Sequence, residues 1–139
     1  MGNFTVSVLG LFQGEDGRFL LPLRLSGKVA ELNGKYCIPG GKMESFEFPE
    51  DTLIREFWEE FRIIVTGCDL VPYVGRRWGV TGEDNYVFVV YTCSGSASLS
   101  LDQDARNQSR WFTRYELMSL PANLISEMDL EILNELGLH

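Results

Sequence analysis

The chain has 139 residues, 45% hydrophobic and 12% aromatic, with a formal net charge of −8 and an isoelectric point near 4.6. That content is too apolar for a disordered chain and sufficient for the core of one domain spanning residues 1–139. The acidity argues against binding a nucleic-acid polymer or an anionic membrane, and no apolar run approaches the roughly 20 residues of a membrane span.

Taken in order, residues 4–12 (FTVSVLGLF) form a β-rich run, and 13–17 (QGEDG) a turn. Residues 19–25 (FLLPLRL) read as a second strand weakened by Pro22, and 28–32 as a short one. Asn33-Gly34 is a hairpin signal before 36–39 (YCIP). A helix is expected at about 49–61, followed by extended pieces at 63–66 and 70–78. Residues 79–85 are a polar loop, 86–93 (YVFVVYTC) the clearest strand, and 94–107 a small, polar loop. Arg110-Trp111-Phe112 is extended, 114–120 a helical turn or two. Residues 122–136 are expected to form a helix, with a stripe of Leu124, Ile125, Met128, Ile132, Leu133 and Leu136. Strands interleaved with two main helices predict a layered α/β domain with a mixed sheet.

The three cysteines, Cys37, Cys68 and Cys93, are odd in number and widely spaced, and His139 is the only histidine. A zinc site has almost no ligands, and a histidine-dependent nucleophile only the last residue of the chain. Reduced, buried thiols and the lack of an opening secretory signal point to a cytoplasmic protein. The wealth of Phe and Trp allows a homodimer.

Chemistry concentrates in residues 41–63, GKMESFEFPEDTLIREFWEEFRI. Glu56, Glu59 and Glu60 fall within about 100° of arc on a helix, while Leu53, Ile54, Phe57, Trp58 and Phe61 occupy the rest. Like charges at these spacings destabilise a helix by about 0.2–0.5 kcal/mol per pair, and a hard divalent cation is the natural compensation. A merely solvated acidic face is the alternative. The residues before the helix favour the cation. Gly40-Gly41 lets a backbone carbonyl turn toward a metal. Pro49, Glu50 and Asp51 suit the first helical turn. Arg55 can tie down Glu47, Glu59 or a substrate phosphate.

This stretch resembles the signature of the Nudix hydrolases, G-x5-E-x7-R-E-U-x-E-E-x-G-U, where U is a bulky apolar residue. Gly41, Glu47, Arg55, Glu56, Phe57, Glu59, Glu60 and Ile63 are in register; Arg62 replaces the glycine that caps the helix, and Phe46 a second common glycine. An arginine in the left-handed conformation costs roughly 1 kcal/mol; otherwise the helix ends differently. The resemblance implies an α/β/α sandwich. It also implies Mg²⁺- or Mn²⁺-dependent hydrolysis of a nucleoside diphosphate linked to another moiety, a nucleoside triphosphate or nucleotide sugar. Glu56, Glu59, Glu60 and the Gly40 carbonyl would be metal ligands, and Arg55 with Glu47 an orienting pair. Glu44, in the loop, is a candidate to approach the metal, against a solvated loop carboxylate. The general base is open between Glu56 and Glu59, with Glu83, Asp84, Asp102 and Asp104 as loop candidates. Tyr73, Trp78, Tyr86 and Trp111 are candidates for stacking on a base, and Arg76-Arg77 for a distal phosphate, against ordinary structural roles for each. A catalytically weak nucleotide-sensing module on the same fold is the competing reading; retention of all three helix glutamates speaks against it.

Overall fold

The computed structural model describes residues 3–24, 33–78, 84–97 and 110–139. In the first half lie β1 (Asn3–Phe12), β2 (Phe19–Leu20), β3 (Leu23–Arg24), β4 (Lys35–Tyr36), β5 (Gly40–Lys42) and α1 (Pro49–Phe61). In the second lie β6 (Ile63–Trp78), β7 (Asp84–Ala97), β8 (Trp111–Phe112), α2 (Arg114–Ser119), a 3-10 turn (Ala122–Leu124) and α3 (Glu127–Glu135). The main sheet has the order β5-β1-β7-β6. β1 and β7 run parallel from Asn3↔Asp84 to Phe12↔Cys93, while β5 and β6 pair antiparallel at the two edges. The sheet is therefore mixed, as expected.

Alternation along β1 sends its side chains to two cores. Val8 and Phe12 join Leu53, Phe57 and Phe61 of α1. Leu9 and Leu11 join Ile125, Ile132, Leu133 and Leu138 on the opposite face. Helices thus cover both faces, the α/β/α sandwich that the resemblance implied. α1 crosses β1 at Gly10, where a Cβ would lie 2.5 Å from Leu53 Cδ1 and 2.9 Å from Phe57 Cε2. Only a residue without a side chain lets the helix dock this closely.

The bounds of α1 follow from its ends. Pro49 occupies its first turn with Glu50 and Asp51, and the Phe48 N–H donates to the Asp51 carboxylate at 2.9 Å. Buried Leu53, Phe57 and Phe61 recur every four residues, each stabilising the docked helix by about 1.5–3 kcal/mol. The helix stops at Arg62, which does adopt the left-handed conformation (φ 55°, ψ 36°).

Three expectations about elements are corrected. The pieces at 63–66 and 70–78 are one strand, β6, whose register with β7 shifts between Val65 and Gly67 and between Leu70 and Val74. β7 does not stop at Cys93 but continues to Ala97, because Ser94, Gly95, Ser96 and Ala97 pair with the start of β6. The expected helix 122–136 is broken: Ile125 is extended and bridges Tyr36, so α3 starts only after Ser126. The short strand expected at 28–32 lies outside the described residues. Among the described residues no helix is long and apolar enough to cross a membrane.

Candidate active site around Arg55

β5, the turn at 44–47 and α1 meet around one guanidinium. Gly40 lies so close to β1 that a Cβ would overlap the Val8 carbonyl oxygen, and one on Gly41 would overlap the Glu56 carboxylate. Gly40 thus lets β5 lie close on β1, and Gly41 lets the helix carboxylate rest directly on the strand.

Arg55 is the hub. Its Nε donates to Glu47 Oε2 at 2.8 Å and its Nη2 to Glu47 Oε1 at 3.0 Å, a two-point fork. Nη2 also donates to the Lys42 carbonyl at 3.1 Å, tying α1 to β5. Nη1 faces three further carboxylates: Glu56 at 2.9 Å, Glu59 at 3.5 Å and Glu44 at 3.7 Å. Four carboxylates therefore surround one guanidinium, leaving a local excess of three negative charges.

Glu47 is held from every side. Besides Arg55 it accepts from the Glu44 N–H at 2.8 Å and from the Thr52 hydroxyl at 3.0 Å. The Arg55 hydrogen bonds, then the Glu44 N–H and Thr52, draw its pKa down to about 2 against a weaker opposing effect of burial. Arg55 is correspondingly raised, first by Glu47 and then by Glu56. Thr52 is fully buried, and nothing in its sequence position marks it beyond standing five residues after Glu47. The Lys42 carbonyl, being backbone, carries no side-chain signal at all. At the start of α1 the Tyr91 hydroxyl donates to Glu50 at 2.7 Å, a contact across 41 residues. It lowers the Glu50 pKa, while burial first and then Glu50 raise that of Tyr91.

The remaining expected site residues divide by freedom. The Glu56 side chain is 17% exposed, whereas Glu59 at 56% and Glu44 at 66% can swing. Glu60 is half-buried on the same helix. The donor set, hard carboxylate oxygens beside strand carbonyls, suits Mg²⁺ or Mn²⁺. Among the described residues no three acidic side chains already enclose an ion.

Of the stacking candidates, Tyr73 packs on the α3-side core and donates to Glu131 at 2.9 Å. Trp111 packs edge-on against Phe12, and Tyr86 stacks on Phe88. Glu83, Asp102 and Asp104 lie outside the described residues, as do the side chains of Arg76, Arg77, Trp78 and Asp84.

The chain is similar to known proteins in sequence and in fold. A profile of the NUDIX domain matches residues 3–132. A MutT-like protein of Streptomyces ambofaciens is 30% identical over 136 residues, covering 97% of this chain and 80% of that protein. An 8-oxo-dGTP diphosphatase of Proteus vulgaris is 44% identical over 47 residues, 34% of this chain and 42% of that protein. Among solved structures, a MutT NUDIX hydrolase from Burkholderia pseudomallei superposes with a TM-score of 0.73 at 22% identity, covering 96% of this chain and 98% of that one. A MutT protein from Bacillus halodurans gives 0.70 at 23% identity, covering 97% and 82%. These two structural likenesses bear on the fold.

Proposed function

Because this chain belongs to the NUDIX domain family and is a Nudix-type pyrophosphohydrolase, we propose that it hydrolyses a phosphoanhydride bond in a nucleoside diphosphate linked to another moiety. The cofactor is Mg²⁺ or Mn²⁺, held by Glu56, Glu59 and Glu60 with the Gly40 carbonyl. The observation that carries this reading is the convergence of Glu44, Glu56 and Glu59 on Arg55 Nη1. So dense a negative cluster beside close-packed strand backbone supports a site for a multivalent cation over a merely solvated face.

A bound cation neutralises diphosphate oxygens and acidifies a bound water. The residues of this chain do the positioning. The Glu47–Arg55 fork fixes the turn before α1 against the helix, so the carboxylates share one rigid frame. Glu56 or Glu59 accepts the proton of the attacking water. The Gly41 backbone leaves Glu56 the room to do so.

The substrate class in this reading is a nucleoside triphosphate or a nucleotide sugar. The local likeness to an 8-oxo-dGTP diphosphatase places oxidised purine triphosphates first among those to test. A cytoplasmic location belongs to the same reading. So does a homodimer, favoured by exposed Phe48 and Trp58; sedimentation velocity giving only a 15.8 kDa species would contradict that part.

The test of the reaction is hydrolysis in ¹⁸O-labelled water with Mg²⁺, comparing 8-oxo-dGTP, dGTP and nucleotide sugars. Label in a nucleoside monophosphate or in its pyrophosphate or sugar-phosphate partner is the expected result. Release of terminal orthophosphate alone, or no labelled product, contradicts the reading.

A further inference from the structure

The fold brings two of the three cysteines together. Cys68 on β6 and Cys93 on β7 are directly paired in the antiparallel register, beside the irregularity between Val65 and Gly67. Opposed residues of such a pair project from one face with Cα atoms about 4.5–5.5 Å apart, within the roughly 4.4–6.8 Å that a disulfide spans. Both face α1: Cys93 belongs to the core of Leu53 and Phe57, and Cys68 packs against that core from its edge. Cys93 is buried and Cys68 half-buried, while Cys37 lies elsewhere, its thiol near the Lys35 carbonyl.

We propose that Cys68 and Cys93 are an oxidative modification site, a dithiol that a peroxide converts to a cross-strand disulfide beneath α1. The peroxide first oxidises Cys68, the accessible thiol, to a sulfenic acid, releasing one water. The Cys93 sulfur then attacks the Cys68 sulfur. The S–S bond forms, the S–O bond breaks, and the hydroxide leaves with the Cys93 proton as a second water. Two thiols and one peroxide become one disulfide and two waters.

The surroundings set the rate. Burial raises the Cys68 thiol, and Glu50 of α1 and Asp69 of β6 raise it further; Tyr91 of β7 is the third titratable group facing it. Burial also pushes Cys93 up to about 12. Thiolate is scarce at neutral pH, so the reaction is slow there and quickens as pH rises.

The experiment treats the full chain with hydrogen peroxide at alkaline pH, then alkylates it with N-ethylmaleimide in denaturant. Expected are one adduct instead of three, an unalkylated mass lower by two hydrogens, and a crosslinked peptide pair containing Cys68 and Cys93. The oxidised form should melt roughly 5–10 °C higher, reversibly with dithiothreitol. Cys68→Ser should keep two alkylatable thiols. Three adducts after a dose that fully oxidises a small free thiol would overturn the proposal. So would Cys68 gaining two oxygens while Cys93 stays free, or a thiol pair still lost in Cys68→Ser.

Discussion

Glycine at position 46 and glycine at position 62 test the same backbone conformation with and without side-chain compensation. Phe46 and Arg62 are the positive-φ non-glycine residues of the described chain, at 68° and 55°. A side chain there costs about 1–2 kcal/mol, and glycine forfeits about 0.4–1 kcal/mol through its freer unfolded chain. The backbone change alone therefore stabilises by about 0.5–1 kcal/mol. The Phe46 ring, 106% exposed, makes no packing contact to lose, so Phe46→Gly should realise that gain, a rise of about 2–4 °C in Tm. Arg62 differs. Its Nη1 donates to the Trp58 carbonyl at 3.2 Å, and the guanidinium lies 5.1 Å from the Trp58 ring centre. These exposed contacts are worth about 0.5 and about 0.5–1 kcal/mol. Arg62→Gly should accordingly leave stability unchanged or lower it by up to about 1 kcal/mol, with little change in turnover. Urea unfolding followed by far-UV circular dichroism measures both. Equal stabilisation by the two substitutions would refute the compensation at Arg62, and an unchanged Phe46→Gly would refute the strain.

Further outcomes follow from close approaches and from charge. Gly41→Ala should displace the flexible end of Glu56 and reduce turnover by at least tenfold while the melting curve moves little; unchanged kinetics would detach Glu56 from the chemistry. Gly10→Ala meets Leu53, Phe57 and the Cys93 sulfur and should cost about 1–3 kcal/mol of stability in denaturant titration, with an unchanged midpoint as the contrary result. Glu47 carries a pKa lowered from 4.5 to about 2. Its folded-state value is depressed, so the stability it contributes is complete above about pH 4.5 and fades as pH falls toward 2. The stability gap between the parent and Glu47→Gln should shrink across that window; a gap independent of pH would exclude the ion pair as its source.

Legibility in the sequence tracked how local each cause was. α1 was readable to its ends because Pro49, the acidic first turn and the four-residue recurrence of Leu53, Phe57 and Phe61 all lie within one segment. The approach of Glu47 to Arg55 was likewise suggested by one turn of chain and two turns of helix. The end of β7 was not: Ser94 and Gly95 have poor strand propensity, and pairing with Gly67 and Val65 overrides it. Gly95 is needed there because a Cβ would overlap the Ile64 carbonyl oxygen. The break before α3 depends on Ile125 bridging Tyr36, a partner far back in the chain. Within the site, the support of Glu47 by Thr52 and of Arg55 by the Lys42 carbonyl came only from geometry, as did the Tyr91–Glu50 bond.

Glu59 tests the central claim with the least disturbance, since its side chain is more than half exposed and Glu59→Gln removes only charge. Hydrolysis of a panel of nucleoside triphosphates, oxidised nucleotides, ADP-ribose, nucleotide sugars and dinucleoside polyphosphates should be measured with and without Mg²⁺, resolving products by chromatography. Cleavage should require the cation and fall by orders of magnitude in Glu59→Gln, with the melting curve preserved. Cleavage that proceeds equally without Mg²⁺, or equally in the variant, would contradict that claim.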